Sequence, residues 1–186
     1  YTKTLNSDVL LVDGLNNYFR AFMSNPSLND NGLHVGGISG FLKTIGYAIN
    51  ILNPSRVIVI FDGKGGSLKS KKIYPEYKDH RNPTLRFNRA YEDLCNSEQE
   101  DNNRINQLLR IVSYLDNLPV TTMAIDYIEA DDTIAYCANN YFKDSEKVYI
   151  MSTDKDYLQL LNNRINVWSP TKKKLYGCAE LLLEYG

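Results

Sequence analysis

Seven carboxylates follow apolar runs at four places in this sequence. Asp13 comes after the run 9–12 and Asp62 after 57–61. Glu129, Asp131 and Asp132 come after 120–125, and Asp154 and Asp156 after 148–151. Singly, each has a structural explanation. Asp13 and Asp62 precede glycines and suit turns or helix caps. Glu129, Asp132 and Asp156 fall where a first helical turn favours negative charge. Capping does not explain why all four runs end this way. If the runs are parallel strands, their ends share one sheet edge, where α/β proteins bind ligands. Seven carboxylates crowded there repel one another and raise some pKa values unless cations neutralise them. Such hard oxygen donors suit Mg²⁺ or Mn²⁺ better than zinc.

The elements that must position these residues follow from periodicity. The runs 9–12, 57–61, 120–125 and 148–151 read as buried strands, with weaker ones at 165–168 and 175–176. Helices are expected at 16–23, at 37–52 (where Pro54 stops the run), at about 102–118, from Glu129 and after Lys155. Apolar strands alternating with helices predict a doubly wound α/β fold with a mostly parallel central sheet flanked by helices. Length, 186 residues, fits one domain.

Composition narrows the class. Hydrophobic residues make up 43% and charged residues 23%, an ordinary globular balance. No apolar run is long enough to span a bilayer, and no secretory leader precedes Asp8. Cys95, Cys137 and Cys178 form no Cys-x-x-Cys pair and read as reduced, intracellular thiols. The net charge of −1 hides an asymmetry: from Lys64 to Arg89 there are eight basic residues and two acidic ones. That excess, interleaved with Tyr74, Tyr77, His80 and Phe87, suits a polyanion, although charge runs also occur as plain solvated loops. The glycines at 36, 37 and 40 open a helix. They would serve either to hold phosphate on its free amides or to allow close helix packing.

The segments Leu11-Val12-Asp13-Gly14 with Arg20-Ala21-Phe22, Gly37-Ile38-Ser39-Gly40-Phe41-Leu42, Pro75-Glu76-Tyr77-Lys78 with Arg81, Glu129-Ala130-Asp131-Asp132 and Thr153-Asp154-Lys155-Asp156-Tyr157-Leu158-Gln159-Leu160 occur in that order. Together they resemble the 5′→3′ exonuclease and flap endonuclease family, in its bacterial and phage branch. The resemblance implies a PIN-like catalytic domain over 1–186 with a basic helical arch inserted at about 64–101. It implies a divalent-metal-dependent phosphodiesterase acting near the 5′ end of branched or duplex DNA, with RNA–DNA hybrids a further substrate class. One Mg²⁺ (or Mn²⁺) would sit on Asp13, Asp62, Glu129 and Asp131, and a second on Asp132, Asp154 and Asp156. Lys78 and Arg81 would contact the scissile phosphate as catalytic residues. Arg20 and Gly37 would bind the nucleic acid, as would Lys69, Lys71, Lys72, Tyr77 and Arg86 of the arch. The setting implied is replication or repair in the cytoplasm of a bacterium or phage-infected cell, by a monomer with no membrane association. The helix–three-turn–helix region that follows in relatives is not present in these 186 residues.

Three alternatives fit less well. A PIN-type ribonuclease usually lacks the basic insertion. A haloacid-dehalogenase-type phosphatase needs an Asp-x-Asp after its first strand, whereas Asp13 is followed by Gly14-Leu15. A DNA-binding module with weak or no cleavage would bind without turnover in Mg²⁺.

Overall fold

A computed structural model describes residues 7–66, 97–145 and 147–185. Strands β1 (Val9–Asp13), β2 (Arg56–Asp62), β3 (Thr121–Ile125), β4 (Val148–Met151), β5 (Ile165–Ser169) and β6 (Lys174–Tyr176) form one sheet in the order β3-β2-β1-β4-β5-β6. All pairings are parallel except β5 with β6. The register places Val9 beside Arg56 on one side and Val148 on the other. The order reverses between β1 and β4, which opens a crevice at their C-terminal ends.

Side chains alternate across β1 and β2, so each strand feeds two cores. Leu10, Val12, Val57 and Val59 pack against Tyr18, Phe22, Phe41, Ile45, Ile111 and Leu115. Those partners come from α1 (Gly14–Ser24), α2 (Gly36–Leu52) and α3 (Ser97–Leu115). Val9, Leu11, Ile58 and Ile60 face Ile134, Ala138, Phe142 and Tyr157. Ile134 comes from α4 (Ala130–Tyr136), Ala138 from the π-helical turn Cys137–Tyr141 that continues it, Phe142 directly follows that turn, and Tyr157 comes from the 3₁₀ turn Lys155–Leu160. A last helix, α5 (Cys178–Tyr185), follows β6. The expected doubly wound α/β architecture is present. Among the described residues, no helix is long and apolar enough to cross a membrane.

Local chemistry sets the boundaries. Asp13 caps α1 by accepting from the Asn16 amide at 3.2 Å. Asn53, at φ 46°, ends α2 in the left-handed conformation before Pro54. Two elements differ from their sequence expectations. α3 is already helical at Ser97, ahead of the expected 102, with Glu98 and Glu100 in its first described turn. It ends at Leu115 because the 114–118 turn tightens, with amides of Asn117 and Leu118 bonding three residues back. The helix expected after Lys155 is a six-residue 3₁₀ turn, because Asn162 accepts from the Arg164 and Ile165 amides and turns the chain into β5.

Tyr127, between β3 and α4, has φ 65°, a left-handed conformation that costs a bulky side chain roughly 1–2 kcal/mol. Its amide donates to the Lys64 carbonyl at 3.0 Å, and Lys64 donates to Asp126 Oδ1 at 3.2 Å, which pins the turn. Tyr127→Gly relieves that strain at a smaller entropic cost. It should raise stability by about 0.5 kcal/mol in urea unfolding.

Candidate active site

Asp13 sits at the switch point, as both the last residue of β1 and the cap of α1. It is only 9% exposed. Oδ2 accepts from Ser152 Oγ at 3.2 Å and from the Tyr157 hydroxyl at 3.1 Å. Two asparagines strap the crevice. Asn17 Nδ2 donates to the carbonyls of Asp13 (2.8 Å) and Met151 (2.9 Å), and Asn16 Oδ1 accepts from Thr153 N and Oγ1. Ser152 Oγ in turn accepts the Asp154 amide at 3.1 Å, and Asp154 caps the 3₁₀ turn through the Asp156 amide at 3.0 Å.

Burial dominates the electrostatics. Desolvation pushes the Asp13 carboxyl up to about 6; hydrogen bonds from Asn16, Tyr157 and Ser152 oppose the shift and the charge of Asp62 adds to it. Burial also pushes the Tyr157 phenol up, reinforced by the charges of Asp13, Asp131 and Asp154, so it remains a protonated donor. A carboxyl raised in the fold costs nothing below its unfolded pKa of 3.8. The cost grows as pH rises towards 6 and is constant above. In EDTA, Asp13→Asn should therefore gain about 2–3 kcal/mol over the parent at pH 8 and almost nothing at pH 4. Urea unfolding across that range checks it.

Across the crevice, Asp62 Oδ1 accepts the Ala130 amide at 2.7 Å, so the end of β2 caps α4 from a neighbouring strand. Glu129, at the cap position itself, makes no side-chain cap bond and is 4% exposed. Asp131 Oδ1 accepts the Asp132 amide at 2.8 Å. Asp13, Asp62, Asp131 and Asp154 are thus joined by charge, two of them through Tyr157. Asp132 lies on the flank of α4 that lines a hollow, and Asp156 is exposed in its turn. Among the described residues, no three His, Cys, Asp or Glu side chains converge closely enough to hold a metal ion. The carboxylates line an open edge, not a closed cage.

The expected nucleic-acid contacts divide. Arg20 is exposed and lines a groove of about 360 Å³ with Ser24, Lys43 and Thr171, free of acidic residues. Gly37 is buried: a Cβ there would stand 2.7 Å from the Tyr18 ring and 2.8 Å from Gln107 Oε1. Gln107 Oε1 also accepts the Ile38 amide at 3.1 Å. Of the two readings of these glycines, the contacts at Gly37 support packing. Lys69, Lys71, Lys72, Tyr77, Lys78, Arg81 and Arg86 lie outside the described residues.

Asn16, Asn17, Ser152 and Tyr157 were not singled out from sequence. Their signal was polar residues immediately after two apolar runs, but only the β1–β4 adjacency turns them into one network.

Comparisons with known proteins bear on the family and the fold. A 5′-3′ exonuclease of Buchnera aphidicola (subsp. Schizaphis graminum) is 29% identical over 188 residues, covering 100% of this chain and 59% of its own length. The flap endonuclease Xni of Shewanella woodyi is 32% identical over 160 residues, covering 86% of this chain and 55% of its own. The chain thus spans little more than half the length of these relatives. In fold it is similar to the bacteriophage T5 flap endonuclease solved as a pseudo-enzyme–product complex with DNA and metal ions. The TM-score is 0.73 at 22% identity, covering 96% of this chain and 60% of the other. It is also similar to T5 5′-exonuclease with bound divalent zinc (TM-score 0.72, 22% identity, 96% of this chain and 60% of the other). Residues 8–186 match the model of the 5′-3′ exonuclease N-terminal, resolvase-like domain. With that match over nearly its whole length and its carboxylates along one edge of the β3-β2-β1-β4-β5-β6 sheet, the chain belongs to that 5′-3′ exonuclease domain family.

Proposed function

We propose that this chain is the catalytic domain of a divalent-metal-dependent 5′-nuclease that hydrolyses phosphodiester bonds near the 5′ end of branched or duplex DNA. The observation that carries the reading is Asp13. It is a buried carboxylate whose bonded partners are neutral, with the Asp62 charge beside it, at the switch point of the sheet. A donor set made of carboxylates fits Mg²⁺ or Mn²⁺.

Asp13, Asp62, Glu129 and Asp131 would hold one ion, and Asp132, Asp154 and Asp156 a second. Such ions supply an activated water and a charge sink for the leaving oxygen. Ser152 and Tyr157 fix the orientation of the Asp13 carboxylate, and Asn16 and Asn17 keep the ends of β1 and β4 together. Lys78 and Arg81 offset charge on the scissile phosphate. Arg20 and the basic run with Lys69, Lys71, Lys72, Tyr77 and Arg86 bind the strand. The substrate class includes 5′ flaps, 5′ ends and RNA–DNA hybrids. The enzyme works as a monomer inside a bacterial or phage-infected cell. Relatives named as 5′-3′ exonuclease and flap endonuclease, and a structural neighbour solved with DNA and metal ions, support this reading.

One observation favours a second reading, a DNA-binding module without turnover: no three acids among the described residues already converge on one point. Incubation of the chain with a 5′-flap DNA in Mg²⁺, Mn²⁺ or EDTA separates the two. Release of short 5′ products in metal but not in EDTA is expected. Tight binding with no product in either metal selects the module.

A further inference from the structure

Asp13 accepts hydrogen bonds on both of its carboxylate oxygens. Oδ1 takes the Asn16 amide at 3.2 Å, and Oδ2 takes the hydroxyls of Ser152 at 3.2 Å and Tyr157 at 3.1 Å. A carboxylate offers about four acceptor positions, so these donors leave roughly one, on Oδ1. Asp62 and Asp154 differ. Each accepts one backbone amide on Oδ1, from Ala130 at 2.7 Å and from Asp156 at 3.0 Å, and among the described residues neither Oδ2 has a donor.

The two hydroxyls on Oδ2 are themselves held. Ser152 is 1% exposed; its amide donates to the Trp168 carbonyl at 3.3 Å and its Oγ accepts the Asp154 amide at 3.1 Å. Tyr157 is 3% exposed and belongs to the core that contains Leu11 and Ile134. Neither donor can follow a carboxyl that turns, so the Asp13 plane is fixed with one oxygen committed to the protein. A buried carboxylate needs donors in any case. Two immobile donors on one oxygen do more, because they restrict how that carboxylate can meet a cation.

Mg²⁺ and Mn²⁺ are satisfied by an octahedral shell of single oxygens, whereas the larger Ca²⁺ takes roughly six to eight oxygens, often both from one carboxylate. A carboxylate that can offer only one oxygen therefore favours the smaller ions.

We propose that Tyr157 and Ser152 are positioning residues that hold Asp13 to coordination through one oxygen and so select Mg²⁺ or Mn²⁺ over Ca²⁺ at the carboxyl edge. The inference rests on the proposed role of Asp13 as a metal ligand and goes beyond it, by assigning the choice of ion to two neutral hydroxyls.

The test reads metal binding, not cleavage. Mn²⁺ binding is followed by loss of the free-ion electron paramagnetic resonance signal, and Ca²⁺ binding by displacement of Mn²⁺. The binding lost in Asp13→Asn defines the site compared, and there the parent should prefer Mn²⁺. Tyr157→Phe keeps the ring in the core but removes one donor from Oδ2, which frees the carboxyl to turn. The ratio of Mn²⁺ to Ca²⁺ affinity should fall about ten-fold, the scale of a lost outer-shell partner. Ser152→Ala removes the other donor and should move the ratio the same way; it carries the test if Tyr157→Phe lacks the parent's circular dichroism spectrum. An unchanged ratio in the folded variants overturns the proposal, even if both ions bind more weakly, since hydroxyls that only satisfy a buried charge would give that. A parent that binds neither ion, or binds Mn²⁺ no better than Asp13→Asn does, overturns the metal role of Asp13 and this inference with it. Flap cleavage by the parent in Mg²⁺ reads the nuclease assignment separately. Cleavage with an unchanged ratio overturns the positioning role alone; a shifted ratio without cleavage upholds that role and overturns the nuclease.

Discussion

Asp13→Asn is expected to lower cleavage of a 5′-flap substrate on the order of 10³-fold or more while leaving the chain better folded in EDTA. The substitution keeps the shape and the cap: the Asn16 amide can still bond Oδ1, and Asn is as good a cap as Asp. Ser152 and Tyr157 now donate to a carboxylate oxygen, but a hydroxyl oxygen can accept from an amide nitrogen there instead. What is lost is the negative charge, held in the fold against desolvation and against Asp62. If that charge is retained for a cation, divalent metal should raise Tm in the parent and much less in the variant. DNA affinity should hold or improve, because one repulsive charge is gone. Equal cleavage by parent and variant would show that Asp13 is merely a helix cap.

Gly63→Ala should have the largest effect of any single methyl added to this chain's described residues near the site. A Cβ at Gly63 would stand 1.8 Å from the Ile125 carbonyl oxygen and 2.2 Å from its carbon. Both are backbone atoms, at the end of the ladder where Asp62 pairs with Ile125. Relief requires β2 and β3 to part, which breaks the Gly63 amide bond to the Ile128 carbonyl and pulls Asp62 away from the Ala130 amide. Overpacking that backbone cannot absorb should cost about 3 kcal/mol or more. A shift of about 1 Å in Asp62 and Glu129 should lower the rate of the remaining folded enzyme about 100-fold. Gly46→Ala is the contrast. It is exposed on α2 with nothing within 4 Å of its added methyl, and should gain about 0.5–1 kcal/mol of helix stability. Urea unfolding of both variants reads the difference. A Gly63→Ala chain as stable as its parent would mean the β2–β3 end is looser than it stands here.

The strands that carry the acids were legible because parallel strands covered on both faces read as unbroken apolar runs, as at Val9–Asp13 and Val148–Met151. The helix at Gly36–Leu52 was legible from its apolar spacing and from Pro54. Pairing order was not. Nothing local says that β1 lies between β2 and β4, and it is that placement which brings Ser152 and Tyr157 onto Asp13. The six-residue 3₁₀ turn after Asp154 escaped because its length is set by Asn162 downstream, not by periodicity. The role of Gly37 needed the contacts of Tyr18 and Gln107, which are far away in sequence.

The most direct measurement is an anomalous difference map from crystals of the chain soaked in Mn²⁺. The account requires Mn²⁺ at the carboxyl edge of the sheet, against Asp13, Asp62, Glu129 and Asp131, and loss of that peak in Asp13→Asn. A map with no peak at that edge, or with the same peak in the variant, would contradict it.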